Sequence, residues 1–98
     1  MVEGRKIAFI VKGSGQIEEL PGILRGFKGL FQYIQVFLIY GDQTDAKAVS
    51  QTTIDSFSDC EAACFIDDPV SARRYGFRHI TIEEMAPMLR VFDAVIPL

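Results

Sequence analysis

Both cysteines of the chain, Cys60 and Cys64, fall in one stretch, DSFSDCEAACFIDDPVSARRYGF (55–77), which also holds the acids Asp67 and Asp68 and the arginines Arg73 and Arg74. Thiols among charged groups are the raw material of sulfur and nucleophile chemistry, provided something favours the thiolate. The spacing is C-x₃-C, not the redox C-x-x-C, and no second cysteine pair completes a zinc site. With His79 as the single histidine, no metal and no cofactor are expected. Cys64 lies between Ala63 and Phe65 in an apolar run, where a cysteine is a small core hydrophobe with a raised pKa. Cys60 stands between Asp59 and Glu61, whose charges disfavour a thiolate. Cys60 and Cys64 are the chain's candidate nucleophiles, yet neither has surroundings that activate one.

The remaining candidates are polar. Asp67 and Asp68 form a carboxylate pair on paper, but adjacent residues point differently, and Asp68 before Pro69 suits a helix cap better than acid–base work. A phosphoacceptor domain needs acids after its first strand, where this chain reads Gly-Ser-Gly. KGSGQIEE offers amides to an anion but lacks the P-loop and the three-glycine dinucleotide fingerprint, so a plain turn is the default, with Lys12 and Gly13 facing any ligand. In YGDQTD, Gly41 permits a tight turn. Asp42, Thr44 or Asp45 can cap the next helix, and the same residues could wall a cleft. ARRYGFRH interleaves Arg73, Arg74, Tyr75 and Phe77, a pattern able to grip a phosphate, RNA or an acidic partner. Solvation of a helix end with partner docking is the preferred reading, and the aromatics Tyr33, Tyr40, Tyr75 and Phe77 are expected to be exposed for such contacts.

These residues need elements to position them. KIAFIVKG (6–13), IQVFLIYG (34–41), AACFID (62–67) and DAVIPL (93–98) are apolar on consecutive positions, as in strands covered on both faces of a parallel sheet. Between them lie helical patterns. In IEELPGILRGFKGLF (17–31), Leu20, Ile23, Leu24, Phe27, Leu30 and Phe31 recur at helical spacing, against three glycines. A second helix is predicted over 44–57, with Ala46, Val49, Thr53, Ile54 and Phe57 inward. A short third runs from Asp68 and Pro69 to Gly76. In the fourth, Thr81 and Glu84 make a capping box, Ile80 and Met85 a hydrophobic staple, and Met85, Met88, Leu89 and Phe92 face the core. A short strand fits near 78–81. The order predicts an α/β fold: a three-layer α/β/α sandwich with a mainly parallel sheet of about five strands. Ligands in such folds bind beyond the carboxyl ends of the strands, here Lys12–Gly15, Tyr40–Gln43 and Asp67–Pro69. The ligand-cleft candidates are therefore Lys12, Gly13, Gly41, Asp42, Asp67 and Asp68.

The totals bound the rest. Ninety-eight residues with 49% hydrophobic composition suit one domain with its own core. A net charge of −3 argues against nucleic acid or anionic membrane as a direct ligand. The longest apolar run, YIQVFLIYG, is broken by Gln35 and too short for a bilayer. The first apolar run lacks a cleavage site, so it reads as a strand, and a cytoplasmic chain with reduced thiols is expected.

A strand with a polar exit, a short helix ending in ARRYGF, a capped helix and a closing FDAVIPL resemble the DsrE/DsrF/DsrH-like superfamily. KIAFIVKG and VFLIYGDQ fit the same layout, so the resemblance spans essentially the whole chain, through loose motifs. The family comprises small sulfur-relay proteins, including the TusB, TusC and TusD subunits that pass persulfide sulfur towards tRNA thiolation. The resemblance implies homo-oligomers or sulfur-relay protein partners. In sulfur-carrying members a cysteine ends the third strand. Here Asp67 or Asp68 holds that place and Cys64 falls too early, so IDDPVSARRYGF looks like the DsrH/TusB-type subunits. The expectation is a non-catalytic or assembly subunit. The alternatives are a carrier or sulfurtransferase using Cys60 or Cys64 and an anion or nucleotide binding module.

Overall fold

The computed structural model describes residues 5–12, 17–41 and 49–98. The strands are β1 (Lys6–Lys12), β2 (Tyr33–Ile39), β3 (Ala62–Ile66), β4 (Arg78–His79) and β5 (Ala94–Pro97). The helices are α1 (Leu20–Phe27, entered through a 3₁₀ turn at Ile17–Glu19), α2 (Gln51–Asp59), α3 (Pro69–Tyr75) and α4 (Ile82–Leu89). All five strands are parallel, in the order β4-β3-β2-β1-β5.

That order dictates the layers. From β1 to β4 each strand is added on the same side of its predecessor, so right-handed crossovers send α1, α2 and α3 to one face. From β4 the chain returns past β1 to reach β5, a step in the opposite direction, and α4 therefore covers the other face. Two clusters of apolar side chains record the division. Ile7, Phe9 and Val11 of β1, Ile34, Val36 and Leu38 of β2, and Cys64 and Ile66 of β3 pack with Leu20, Leu24, Phe57 and Ala72. Ala8, Phe37 and Phe65 pack instead with Ile80 and Met85, with Met88, Leu89 and Phe92 against them. Strand alternation, with period two, sorts each consecutive apolar run between the two layers.

The helix termini follow local chemistry. Asp68 caps α3, Pro69 opens it, and Gly76 closes it in the left-handed conformation at φ +75°. Thr81 and Glu84 form the full capping box of α4, with Ile80 and Met85 in one cluster.

Two helices differ from expectation. The first ends at Phe27, not near Phe31. Lys28 turns extended and Gly29 adopts φ +93°, so a glycine that the spacing placed within the helix becomes its exit. Leu30, expected inward, is 62% exposed. The second begins at Gln51, because Ser50 accepts a hydrogen bond from the Thr53 amide and caps it there. Val49 precedes the helix, though its side chain is buried as expected. Asp42, Thr44, Asp45 and Ala46 lie outside the described residues.

Candidate functional site

The carboxyl ends of β2 and β3 meet at one corner. Beyond Ile39 the chain leaves the sheet, and the amides of Tyr40 and Gly41 have no strand to pair with. Asp67, one residue past β3, supplies the acceptors. Its Oδ1 accepts from the Tyr40 amide at 2.8 Å and its Oδ2 from the Gly41 amide at 3.0 Å. Its own amide donates to the Leu38 carbonyl at 3.2 Å, so the two strand ends are tied in both directions. Gly41 turns the chain at φ +59°, a conformation glycine adopts without strain.

Asp68 serves a different purpose. Its Oδ2 accepts from the Ser71 amide at 3.2 Å and from the Ser71 hydroxyl. The hydroxyl bond, ahead of the amide bonds, lowers its pKa below the usual carboxylate value. The two acids thus stabilise separate backbone features, as their adjacency implied, and share no proton.

Behind the corner lies a buried polar group. Tyr40 continues the alternation of Ile34, Val36 and Leu38, so its ring enters the α1–α3 layer, where it is 5% exposed. Its hydroxyl is buried and has no hydrogen-bond partner among the described residues. Burial raises its pKa to about 12, with further contributions from Tyr75, Cys64, Asp68 and Asp67. The Tyr75 hydroxyl instead accepts from the Val49 amide at 3.2 Å. The Tyr75 ring lies 5.6 Å from Phe77, which meets Phe57 edge-on at 5.7 Å.

Both thiols are free and buried. Cys64 faces the α1–α3 layer, and desolvation pushes its pKa up, as expected for a core position. It also lines a cavity of about 320 Å³ with Phe57, Tyr75, Phe77 and Arg78. Cys60 is the C-cap of α2, its amide donating to the Ser56 carbonyl at 3.0 Å, and it lines a different cavity beside Lys28 and Glu61. Among the described residues no three histidine, cysteine or acidic side chains gather where they could hold a metal ion.

The corner therefore brings together Gly41, Asp67 and Asp68 of the cleft candidates. Lys12 ends β1, exposed, in register with Ile39 of the neighbouring strand. Gly13 and Asp42 lie outside the described residues. Arg73 and Arg74 are exposed on α3, with the Arg74 guanidinium 5.4 Å from the Tyr75 ring centroid. The expectation of four exposed aromatics is corrected: Tyr33 is 52% exposed, but Tyr40 is buried and Tyr75 and Phe77 pack against the core. Sequence reasoning also missed the clamp from Asp67 to Tyr40 and Gly41. The signal for Tyr40 was present, because it is in phase with the inward residues of β2.

No family model matches the chain, and no curated protein matches it. Among solved structures, it is similar to a conserved protein of unknown function from Bacteroides thetaiotaomicron. That likeness has a TM-score of 0.69 at 10% identity and covers 100% of both chains. At that identity it shows the fold alone, a three-layer α/β architecture with a parallel sheet. No helix among the described residues is long and apolar enough to cross a membrane.

Proposed function

We propose that the chain is an assembly subunit of the sulfur-relay type, as its DsrE/DsrF/DsrH-like resemblance implies, acting in the cytoplasm through protein contacts and carrying no sulfur itself. The observation behind this reading is the corner after β3. Where the resemblance implies a carrier thiol, Asp67 has both oxygens committed to backbone amides. Its partners would be a second copy of the chain or a relay protein, met through exposed groups such as Arg73, Arg74 and Tyr33.

A carrier thiolate would attack the outer sulfur of a persulfide R–S–SH, forming Cys–S–SH as R–S⁻ leaves. Incubation of the folded protein with a persulfide donor is expected to add no sulfur to Cys60 or Cys64 by mass spectrometry. Light scattering is expected to give a mass above one chain, or a defined complex with a relay partner. A monomer that binds no relay protein overturns the proposal.

One observation favours the carrier as a second reading: Cys64 lines a cavity of about 320 Å³. Sulfur added to Cys64 and absent in Cys64→Ser would establish that reading in place of the first.

A further inference from the structure

Strand β3 has five residues, but its outer neighbour β4 has two. Register places β4 beside the end of β3 alone: Arg78 stands opposite Phe65 and His79 opposite Ile66. Ala62, Ala63 and Cys64 pair with β2 on one side and, among the described residues, with no strand on the other. Half of this sheet edge is therefore open.

The ladder shows which backbone groups the opening leaves over. In a parallel sheet the amide and carbonyl of one residue point to the same side, and successive residues alternate. The Asp67 amide donates to Leu38 of β2, and the Ile66 carbonyl accepts from the Ile80 amide at 2.9 Å on the β4 side. Counting back from Ile66, Cys64 and Ala62 also face outward. The Cys64 amide and the Ala62 carbonyl therefore point off the edge, and no hydrogen bond from another described residue reaches either. Such a row of unpaired groups is a template for another strand. Beside it lies the cavity of about 320 Å³, walled by Ile54 and Phe57 of α2 and closed by Phe77 and Arg78.

We propose that this edge binds the C-terminal end of an extended partner peptide, added parallel to β3. The last residue of the peptide stands opposite Ala63. Its amide donates to the Ala62 carbonyl, and its carboxylate accepts from the Cys64 amide. Two features select a chain end and fix its direction. The next position, opposite Cys64, is where Phe77 leads into β4, so a parallel strand must stop there. Arg78 stands at that stop, exposed and without an ion pair among the described residues. A terminal carboxylate complements that charge, whereas an antiparallel peptide would bring its amino end to the same cation. Alternation sends the penultimate side chain towards Ile54 and Phe57, where an apolar residue fits. The site lies at the end of β3 opposite the Asp67 corner and does not depend on the function proposed above.

The probe is the pentapeptide acetyl-Thr-Val-Thr-Phe-Val with a free carboxylate. Its controls are the C-terminal amide and a form N-methylated at the last valine. NMR titration with the free acid is expected to shift the backbone amides of Ala62, Ala63 and Cys64 and to slow hydrogen exchange at the Cys64 amide. The free acid should bind at least about tenfold tighter than either control, because each control removes one of the contacts named above. Arg78→Gln should remove most of the preference for the acid over the amide. Its melting temperature should stay near that of the wild type, since Arg78 is exposed, so loss of the fold cannot mimic loss of the site. No shift at Ala62, Ala63 and Cys64, equal binding of the acid and either control, or an unchanged preference in Arg78→Gln each overturns the proposal.

Discussion

Asp67 holds the Tyr40 amide at 2.8 Å and, with its second oxygen, the amide of the next residue, so one carboxylate closes the ends of two neighbouring parallel strands. Charge-assisted bonds to backbone donors contribute about 1.5–3 kcal/mol each, less where water can substitute. Asp67→Ala is expected to lower unfolding free energy by about 2–3 kcal/mol in a urea titration, because both bonds go together. Asp67→Cys should be destabilised similarly. It is also expected to accept sulfur from a persulfide donor where the wild-type chain does not. Full retention of stability in Asp67→Ala would mean the amides find water equally well.

The caps make an acid-sensitive contribution. Bonds from Ser71 lower the pKa of Asp68, and bonds from the Thr81 amide and hydroxyl lower that of Glu84. A lowered folded-state pKa means the stabilisation is complete above the unfolded carboxylate value and is lost as pH falls through the folded one. Thr81→Ala should cost about 1 kcal/mol at neutral pH. The gap between wild type and Thr81→Ala should narrow on acidification, which chemical denaturation at a series of pH values would reveal.

Tyr40 gives the opposite sign. Its pKa is raised from 10.0 to about 12, chiefly by burial of the hydroxyl. Stability from the neutral phenol is therefore fully present below pH 10.0 and is lost as pH rises towards about 12. In an alkaline titration followed by tyrosinate absorbance, one tyrosine should ionise late, and Tyr40→Phe should remove that late phase. Tyr40→Phe should also be at least as stable as the wild type at neutral pH, because it deletes a buried hydroxyl that bonds to none of the described residues.

Glu61 is the one non-glycine residue with positive φ, at +53°, among the described residues. It follows the C-cap Cys60, and its amide donates to the Ser58 carbonyl at 3.0 Å, which ends α2 before β3. A β-carbon in this conformation costs about 1–2 kcal/mol. Glu61→Gly is expected to raise the midpoint of denaturation, offset in part by the greater freedom of glycine in the unfolded chain. A lower midpoint would show that the Glu61 side chain makes a larger contribution than its backbone strain.

Most of the architecture is legible in the order of residues, because the deciding signals are local. Consecutive apolar runs announced a parallel sheet with helices on both faces. Thr81 with Glu84, and Asp68 with Pro69 and Gly76, marked helix ends through hydrogen bonds that span only a few residues. The burial of Cys64 followed from its place in a strand. Other features were decided only in three dimensions. Strand order placed β5 beside β1 and moved α4 alone to the second face. Register set Gln35 between Ala8 and Ala63, and brought the Asp67 carboxylate to amides 26 and 27 residues away. Helix α1 stopped at Phe27 because Gly29 turned, while the spacing of Leu30 and Phe31 pointed onward. Periodicity reports which face a side chain takes, but only strand pairing fixes its neighbours, and candidate sites are made of neighbours.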